Sequence, residues 1–199
     1  MGASERDEWL RAAWRVFLAK VISAQRFVLV YEMGVNTSLS PVYEWSRKGE
    51  RAFCSEPRNR GRNVTLLASI STDRIGPCLA VEGATTTAVF ETYVEQVLAP
   101  ELRAGEVVAM DNLSAHKSGR VRESIEARGC KLVYLPPYSP DLNPVEKAFA
   151  KVKGLLRKAG TRTRQALLEA MGGALDAVTA RDARGFFRSC GYRNPSQLL

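Results

Sequence analysis

Four prolines within the eleven residues 134–144, Tyr-Leu-Pro-Pro-Tyr-Ser-Pro-Asp-Leu-Asn-Pro, constrain this chain more than any other feature. Proline has a fixed φ and no backbone N–H, so it is excluded from the interior of helices and central strands. An apolar run at 130–135 leads into this proline block, and an amphipathic run follows it. The block is therefore predicted to be a stiff connection from a strand to a helix, and it fixes where the start of that helix points.

Two carboxylates stand close to such element ends. Asp111 follows the apolar run 107–110, which is typical of a buried strand, so its side chain is expected at the end of that strand. Glu146 opens the helix after the proline block, with 34 residues between it and Asp111. Carboxylate oxygens are preferred ligands of Mg²⁺, so the pair is a candidate metal site.

Both residues also have purely structural explanations. Asp111 and Asn112 suit a turn after a strand. Asn143 as N-cap, Pro144 as the first helical residue and Glu146 as the third form a capping-box pattern, in which the glutamate carboxylate bonds the N-cap backbone. The local pattern leaves both explanations open beside the metal site.

The predicted fold class is α/β, with a mixed sheet that consists of an antiparallel meander and parallel strands and is flanked by helices. With 199 residues and 45% hydrophobic content, the chain suits one compact domain. A hairpin turn is predicted at Thr72-Asp73-Arg74 and a helix cap at Thr85-Thr86-Thr87. Strands are predicted at 27–31, 42–46, 50–54, 63–72, 75–82, 106–111 and 130–135. Helices are predicted at 5–24, 85–98, 115–128, from 144 onward, 163–179 and 180–189.

The net charge of +8 and the isoelectric point near 9.6 favour a polyanionic partner. Between residues 147 and 164 there are seven basic residues and no acidic one. A solvated basic helix face is one explanation of this run, and a DNA backbone beside the candidate metal site is the other. Lys147, Lys151 and Lys158 are expected to share a helix face. The seven residues are Lys147, Lys151, Lys153, Arg157, Lys158, Arg162 and Arg164.

Three stretches of the chain resemble the DDE-type transposases of the IS630/Tc1/mariner superfamily. They are Met-Asp-Asn-Leu-Ser-Ala-His at 110–116, Leu-Pro-Pro-Tyr-Ser-Pro-Asp-Leu-Asn-Pro-Val-Glu at 135–146 and, more loosely, Glu-Met-Gly-Val-Asn-Thr at 32–37. The resemblance implies an RNase H-like core in which three carboxylates hold two Mg²⁺ ions, replaceable by Mn²⁺, for DNA strand cleavage and joining. Asp111 and Glu146 match two of these carboxylates.

The chain departs from this family at the third carboxylate, because Tyr31 falls on the position of the family's first aspartate. A phenol with a pKa near 10 is neutral at pH 7 and a weak ligand for Mg²⁺. Glu32 is the obvious substitute, but it reaches the site only if the strand ends or bulges there. An active transposase domain, a DNA-binding remnant that does not cut, and an RNase H-like nuclease outside transposition are therefore three competing hypotheses.

Further residues near the motifs are candidates for contacting DNA or ordering the site. His116 could contact a phosphate or order the site, and packing or capping at a helix start is its alternative. Tyr138 could stack on an unpaired base or pack on the neighbouring prolines. Asn112 and Asn143 could orient metal ligands, with turn and cap roles as alternatives. The expected DNA-contacting residues are His116, Lys117, Tyr138, Lys147, Lys151, Lys153, Arg157 and Lys158.

The expected division of the chain is an N-terminal helix or linker at 1–26, a catalytic domain at 27–192 and a tail at 193–199. The first 26 residues suit one helix, so the resemblance implies that a separate helix-turn-helix portion reads the element ends. It also implies a homodimer and, as partners, the element ends and target DNA. No apolar run reaches the roughly 20 residues of a membrane helix, and the start lacks a secretory signal. A cytoplasmic, bacterial, nucleoid-associated protein is expected.

Overall fold

The computed structural model describes residues 7–20, 23–40, 46–51, 61–113 and 116–192, without the side chains of residues 19 and 20. The strands predicted at 42–46 and 50–54 lie mostly outside these ranges. Their described part, within 46–51, forms a turn and no strand. Arg58 and Arg60, part of a basic stretch of the sequence, also lie outside the described residues.

A five-stranded mixed sheet forms the centre of the described structure, in the order β3-β2-β1-β4-β5. The first three strands form an antiparallel meander, and β4 and β5 run parallel to β1. This confirms the predicted mixed sheet, including the hairpin turn, where the Ser71 N–H bonds the Arg74 carbonyl. The strands are β1 (Phe27–Val35), β2 (Val64–Ile70), β3 (Ile75–Glu82), β4 (Val107–Met110) and β5 (Lys131–Tyr134).

β1 is longer than its sequence predicts. The apolar run stops at Tyr31, but the strand continues to Val35 because β2 pairs with it residue by residue throughout. β4, on the other side of β1, ends where Met110 pairs with Val30. Beyond Val30 the described part of β1 is paired only with β2, and this open edge is where the chain leaves β4 at Asp111.

Six α-helices flank the sheet in the described residues. Thr86 caps α2, as the threonine run predicts, and α2 continues through a wider turn at Val94–Leu98. α3 begins later than the predicted start at residue 115, because Ser118 is its N-cap. Residues 114 and 115 lie outside the described residues. The helices are α1 (Glu8–Lys20), α2 (Thr87–Tyr93), α3 (Gly119–Glu126), α4 (Pro144–Ala159), α5 (Arg164–Asp176) and α6 (Ala180–Ser189).

Each face of the sheet has its own apolar core. Leu29 and Ala109 face a core that includes residues of α1, α4, α5 and α6. Val30 and Met110 face a second core that includes residues of α2 and α3. α1 packs into the first core through Trp14 and Leu18, so it is part of the same folded unit as the sheet. Among the described helices, none has both the length and the apolar character needed to span a bilayer.

Candidate metal and nucleic-acid site

Tyr31, Asp111 and Glu146 meet at the open edge of β1. Side chains alternate between the two faces of a strand, so Tyr31 lies on the same face as Leu29, and Asp111 on the same face as Ala109. β1 and β4 are neighbouring parallel strands, which places these two side chains next to each other. Glu146 reaches the same face from the first turn of α4, which packs against β1.

The three side chains line a cleft of about 510 Å³. The rest of its lining comes from the segment after β4 and from the proline block, so the predicted stiff connection forms one wall of the site. The lining residues are Tyr31, Asp111, Asn112, Leu113, Leu135, Pro136, Pro137, Tyr138, Ser139, Pro140, Asn143 and Glu146.

Asp111 is held from below by a buried histidine. The Nδ1 atom of His116 hydrogen-bonds the Oδ1 atom of Asp111, and the ring of His116 stacks on Phe90 at a centroid distance of 3.9 Å. His116 is only 1% exposed. This burial corrects the expectation that His116 contacts DNA, because the ring lies beneath the carboxylate and not on the surface. The bond fixes the orientation of Asp111 instead.

Glu146 is not used as a helix cap. The side chain of Asn143 caps α4 by accepting the Val145 N–H at 3.1 Å. The backbone N–H of Asn143, which a capping box would pair with Glu146, donates to the carbonyl of Pro140 at 3.1 Å. The capping-box explanation of Glu146 is therefore wrong, and its carboxylate is directed into the cleft. Asn143 is 3% exposed and acts by fixing the start of α4.

Tyr31 stands between the two carboxylates. Its ring packs near Phe149, with a centroid distance of 6.3 Å. Burial raises the pKa of the Tyr31 phenol, and the charge of Glu146, hydrogen bonding to Glu146 and the charge of Asp111 raise it further. The group is therefore a neutral hydroxyl at pH 7, which donates to a carboxylate more readily than it binds a cation.

Glu32 is directed away from the cleft. β1 continues through Glu32 without a bulge, pairing it with Leu67, which belongs to the core on the α2 and α3 side. The side chain of Glu32 therefore lies on the opposite face of the sheet from Tyr31, and it does not line the cleft. One Glu32 carboxylate oxygen is buried without a hydrogen-bond partner in the described part of the chain.

The donor set suits one divalent ion better than two. Two carboxylates with neighbouring solvent match Mg²⁺, which keeps several waters in its octahedron. Among the described residues, no group of three His, Cys, Asp or Glu side chains is placed to share an ion. A two-ion site needs a bridging carboxylate, and the phenol of Tyr31 occupies the place from which it would come.

Comparison with known families identifies the family of this chain. A family model described as DDE superfamily endonuclease matches residues 26–168, which include Tyr31, Asp111 and Glu146. The chain belongs to this family.

Curated relatives that the chain matches include the Tcb1 and Tc1 transposases of two Caenorhabditis species. The Tcb1 transposase of Caenorhabditis briggsae is 28% identical over 116 residues, covering 56% of this chain and 42% of the relative. The chain spans about half the length of the curated relatives that it matches.

Solved structures of the Mos1 transposase share the fold. A pre-cleavage Mos1 transpososome superposes with a TM-score of 0.75 at 13% identity, covering 94% of this chain and 58% of the other. A mariner Mos1 paired-end complex with Mg superposes with a TM-score of 0.74 at 14% identity, covering 95% of this chain and 60% of the other. The fold is therefore RNase H-like, as the resemblance in the sequence implies.

The proline block of this DDE domain is anchored by residues that the sequence motifs do not indicate. Arg11 of α1 donates to the Oγ of Ser139 at 2.7 Å and to both carboxylate oxygens of Asp141 at 3.0 and 2.7 Å. The Tyr192 hydroxyl donates to the Leu142 carbonyl at 3.0 Å. Arg11 could have been noticed because it shares its helix face with Trp14 and with Leu18, a placement unusual for a cation.

Tyr138 projects from the proline block at the mouth of the cleft. It is 57% exposed, and its φ of 50° is the only positive value of a non-glycine residue in the described chain. Leu113, across the cleft lining, is 49% exposed. More than half of the Tyr138 side chain is therefore available for contacts outside the chain.

The basic residues of α4 fall on two flanks of the helix. Lys153 and Arg157 follow Glu146 by about two and about three turns, so they share its flank. Lys147 and Lys158 lie on the other flank, as does Lys151.

The ammonium group of Lys151 is bound by other residues of this DDE domain. Its Nζ donates to the Ala177 carbonyl at 2.8 Å and to Asp182 at 2.7 Å. The charge of Lys151 is therefore paired with α6, and a contact of this lysine with DNA stays a prediction. Lys117, Lys147 and Lys158 are exposed.

Proposed function

We propose that this chain is the catalytic domain of a Tc1/mariner-type transposase, which cleaves DNA strands and joins them to target DNA. The observation that carries the proposal is that Asp111 and Glu146 line one cleft, at the carboxyl end of β4 and the open edge of β1. Its membership of the DDE endonuclease family supports the reaction class. Tyr31, in place of a third carboxylate, is proposed to limit the rate of that reaction.

The proposed cofactor is Mg²⁺, with Mn²⁺ as a substitute, held by Asp111 and Glu146. A divalent ion in such a site stabilises the charge that develops on a phosphodiester and activates the attacking oxygen. His116 holds the Asp111 carboxylate in one orientation, and Asn143 fixes the first turn of α4 that carries Glu146. Mos1 complexes with Mg and with Mn support the choice of ion.

The proposed substrate is DNA lying along the flank of α4 that begins at Glu146. Lys153 and Arg157 extend this flank away from the cleft, where a phosphate backbone that enters the site would continue. Tyr138 stands at the mouth of the cleft, where a base that has left its stack would meet an aromatic face. Lys117, Lys147 and Lys158 add positive charge from outside this track, which favours binding of any DNA sequence.

A second candidate function is DNA binding without cleavage, and Tyr31 favours it. With Glu32 on the other face of the sheet, two carboxylates remain to hold the ions that the reaction of this family requires. Such a domain would keep its basic surface and its affinity for DNA. It would not nick DNA in the presence of Mn²⁺.

Calorimetric titration with Mn²⁺ and nicking of a supercoiled plasmid test both candidates. We expect one ion per chain, and affinity reduced about tenfold or more in Asp111→Asn and Glu146→Gln. Glu169→Gln, an exposed carboxylate on α5, is the matched control and should bind as the unmodified chain does. Mn²⁺ binding that is insensitive to both site variants contradicts the metal site.

The nicking assay separates the two functions. Slow nicking by the unmodified chain that Asp111→Asn abolishes supports the transposase domain. DNA binding with no nicking, together with nicking by Tyr31→Asp, supports the second candidate. Failure to bind DNA at low salt would exclude both.

The complete reaction is proposed to need further parts. A helix-turn-helix portion would read the element ends, and two copies would act together at paired ends, as a paired-end complex of Mos1 suggests. We further propose that the chain works in the bacterial cytoplasm at the nucleoid. Sedimentation of the chain with and without DNA tests the dimer directly.

A further inference from the structure

We propose that Arg11 is a positioning residue for the candidate ligand Glu146, acting through the proline block. This inference rests on the proposed metal site, because it concerns how that site is held. Arg11 lies on α1, about as far from Glu146 in sequence as the described chain allows. Its guanidinium nevertheless makes three hydrogen bonds to the segment that leads into α4.

The contact of Arg11 with Asp141 is bidentate. The two terminal nitrogens of Arg11 bind both carboxylate oxygens of Asp141, and one of them also donates to the Oγ of Ser139. Arg11 is 0% exposed, and hydrogen bonding to Asp141 raises its pKa. A guanidinium offers this planar pair of donors, which a lysine ammonium cannot reproduce. Removing it leaves the Asp141 carboxylate without its main partner.

Ser139 and Asp141, which Arg11 binds, are connected to Glu146 by a short series of backbone hydrogen bonds. The Leu142 N–H donates to the Ser139 carbonyl at 3.0 Å, and the Asn143 N–H donates to the Pro140 carbonyl at 3.1 Å. Asn143 then caps α4, and the Glu146 N–H donates to the Asn143 carbonyl at 3.2 Å. The residues held by Arg11 are thus part of the same tight turn that starts the helix.

Two contacts hold this turn from opposite sides. Tyr192 binds the Leu142 carbonyl from the end of the described chain, while Arg11 binds Ser139 and Asp141 from its start. Loss of the Arg11 contact removes the bidentate bond to Asp141 and the bond to Ser139. We therefore expect the first turn of α4 to move more freely and Glu146 to lose its fixed position relative to Asp111.

Two measurements on the full chain test this positioning role. The first is hydrogen exchange of the backbone N–H groups in the segment 141–146, in which Pro144 has none, measured in the metal-free protein. It requires no assumption about the ion. The second is Mn²⁺ affinity by calorimetry, at a temperature well below the unfolding midpoint of every variant. The variants are Arg11→Met and the milder Ser139→Ala and Arg11→Lys. The matched control is Arg15→Met, because Arg15 lies one turn further along α1, is 56% exposed and is 3.9 Å from Asp141.

We expect Arg11→Met to speed exchange at 141–146 and to lower Mn²⁺ affinity about 10- to 100-fold, as loss of contacts that orient ligands does elsewhere. Arg11→Lys should change the exchange rate and the Mn²⁺ affinity less than Arg11→Met does. Arg15→Met should change neither quantity. Lower thermal stability with unchanged exchange at 141–146 and unchanged Mn²⁺ affinity would show a merely structural role and overturn the inference.

The control variants separate this inference from the metal site itself. If Asp111→Asn and Glu146→Gln leave Mn²⁺ binding intact, the metal site fails, and the exchange data alone decide whether Arg11 orders the turn. If those two variants lose Mn²⁺ while Arg11→Met retains it, the positioning role fails and the metal site stands. Should Arg11→Met not fold, Ser139→Ala and Arg11→Lys carry the same comparison.

Discussion

Tyr31 and Glu32 are consecutive residues of β1 whose side chains lie on opposite faces of the sheet. Tyr31 faces Asp111 and Glu146, while Glu32 is paired with Leu67 above the α2 and α3 core. Of two consecutive residues in a regular strand, only one can therefore direct its side chain into the cleft. The chain has a phenol at that position and a carboxylate where it cannot reach the cleft.

The two neighbouring positions are expected to respond differently to substitution. Glu32→Gln should leave Mn²⁺ affinity unchanged, because its carboxylate lies across the sheet from the cleft. Tyr31→Asp should raise the number of bound Mn²⁺ ions from one to two, because it places a third carboxylate beside Asp111 and Glu146. Calorimetry measures both, with Tyr31→Phe as the control for loss of the hydroxyl alone. Loss of ion binding in Glu32→Gln would contradict the strand register.

The hydrogen bond from His116 to Asp111 is expected to strengthen metal binding. His116→Phe keeps the ring that stacks on Phe90 but removes the nitrogen that holds the Asp111 carboxylate. We expect Mn²⁺ affinity to fall about 10- to 100-fold, because contacts that orient a ligand typically contribute that much. Phe90→Leu is the control, since it weakens the packing and leaves the hydrogen bond in place. Unchanged affinity in His116→Phe would assign the histidine a packing role only.

The two flanks of α4 are expected to contribute unequally to DNA binding. Lys153→Ala and Arg157→Ala should each lower affinity for duplex DNA and reduce the slope of log affinity against log salt by about one. Lys147→Ala and Lys158→Ala are the controls, because they remove the same charge from the other flank. Fluorescence anisotropy at several salt concentrations measures both quantities. Equal losses on both flanks would indicate binding by net charge without a defined track.

Much of this fold follows from local sequence pattern. Asp111 ends a four-residue apolar run, and Pro144 with Asn143 marks the start of α4, so the strand and helix that carry both carboxylates are evident without the structure. The proline block has one use compatible with its backbone, a stiff connection. These elements are determined by residues close to one another in sequence, where steric rules are strong.

The parts that sequence reasoning missed depend on contacts between distant residues. The extension of β1 through Glu32 comes from pairing with β2, and no local signal marks it. The sequence alone predicts Lys151 to be a surface cation. In the structure it is paired with Asp182 of α6, 31 residues further along the chain. The burial of His116 depends on Phe90, which lies on α2, 26 residues earlier in the chain. In each case a partner decides the role, and the partner is supplied only by the tertiary fold.

The ion pair between Lys151 and Asp182 is expected to make stability depend on pH in the acid range. Hydrogen bonds from Lys151 and Thr179 hold the pKa of Asp182 well below its usual value. A carboxyl group with a lowered pKa in the folded state stabilises it above the unfolded pKa of about 4, and this stabilisation is lost as the pH falls. Asp182→Asn should therefore lower the unfolding midpoint at pH 7, with the difference shrinking below about pH 4.

Thermal unfolding between pH 3 and pH 7 measures this difference. Asp176→Asn, at the end of α5, is the control, and its difference from the unmodified chain should change little with pH. A gap between the unmodified chain and Asp182→Asn that stays constant down to pH 3 would contradict the assignment of the ion pair.

Tyr138 is expected to lower the stability of the fold and to strengthen the binding of DNA. Its left-handed backbone, at a φ of 50°, costs roughly 1–2 kcal/mol for a residue with a side chain, and asparagine tolerates this region better. Tyr138→Asn should therefore raise the free energy of unfolding by up to about 1 kcal/mol. The same variant should bind single-stranded DNA more weakly, since stacking of one base on an aromatic ring contributes about 1–3 kcal/mol.

Denaturant unfolding and anisotropy with a single-stranded oligonucleotide measure the two effects of substituting Tyr138. Tyr138→Phe is the matched control, because it keeps the ring and the backbone strain and should resemble the unmodified chain in both assays. If Tyr138→Asn is more stable and binds the oligonucleotide equally well, the exposed ring has no stacking role. If it binds more weakly without any gain in stability, the ring contacts DNA, and the left-handed backbone is relieved by contacts within the proline block.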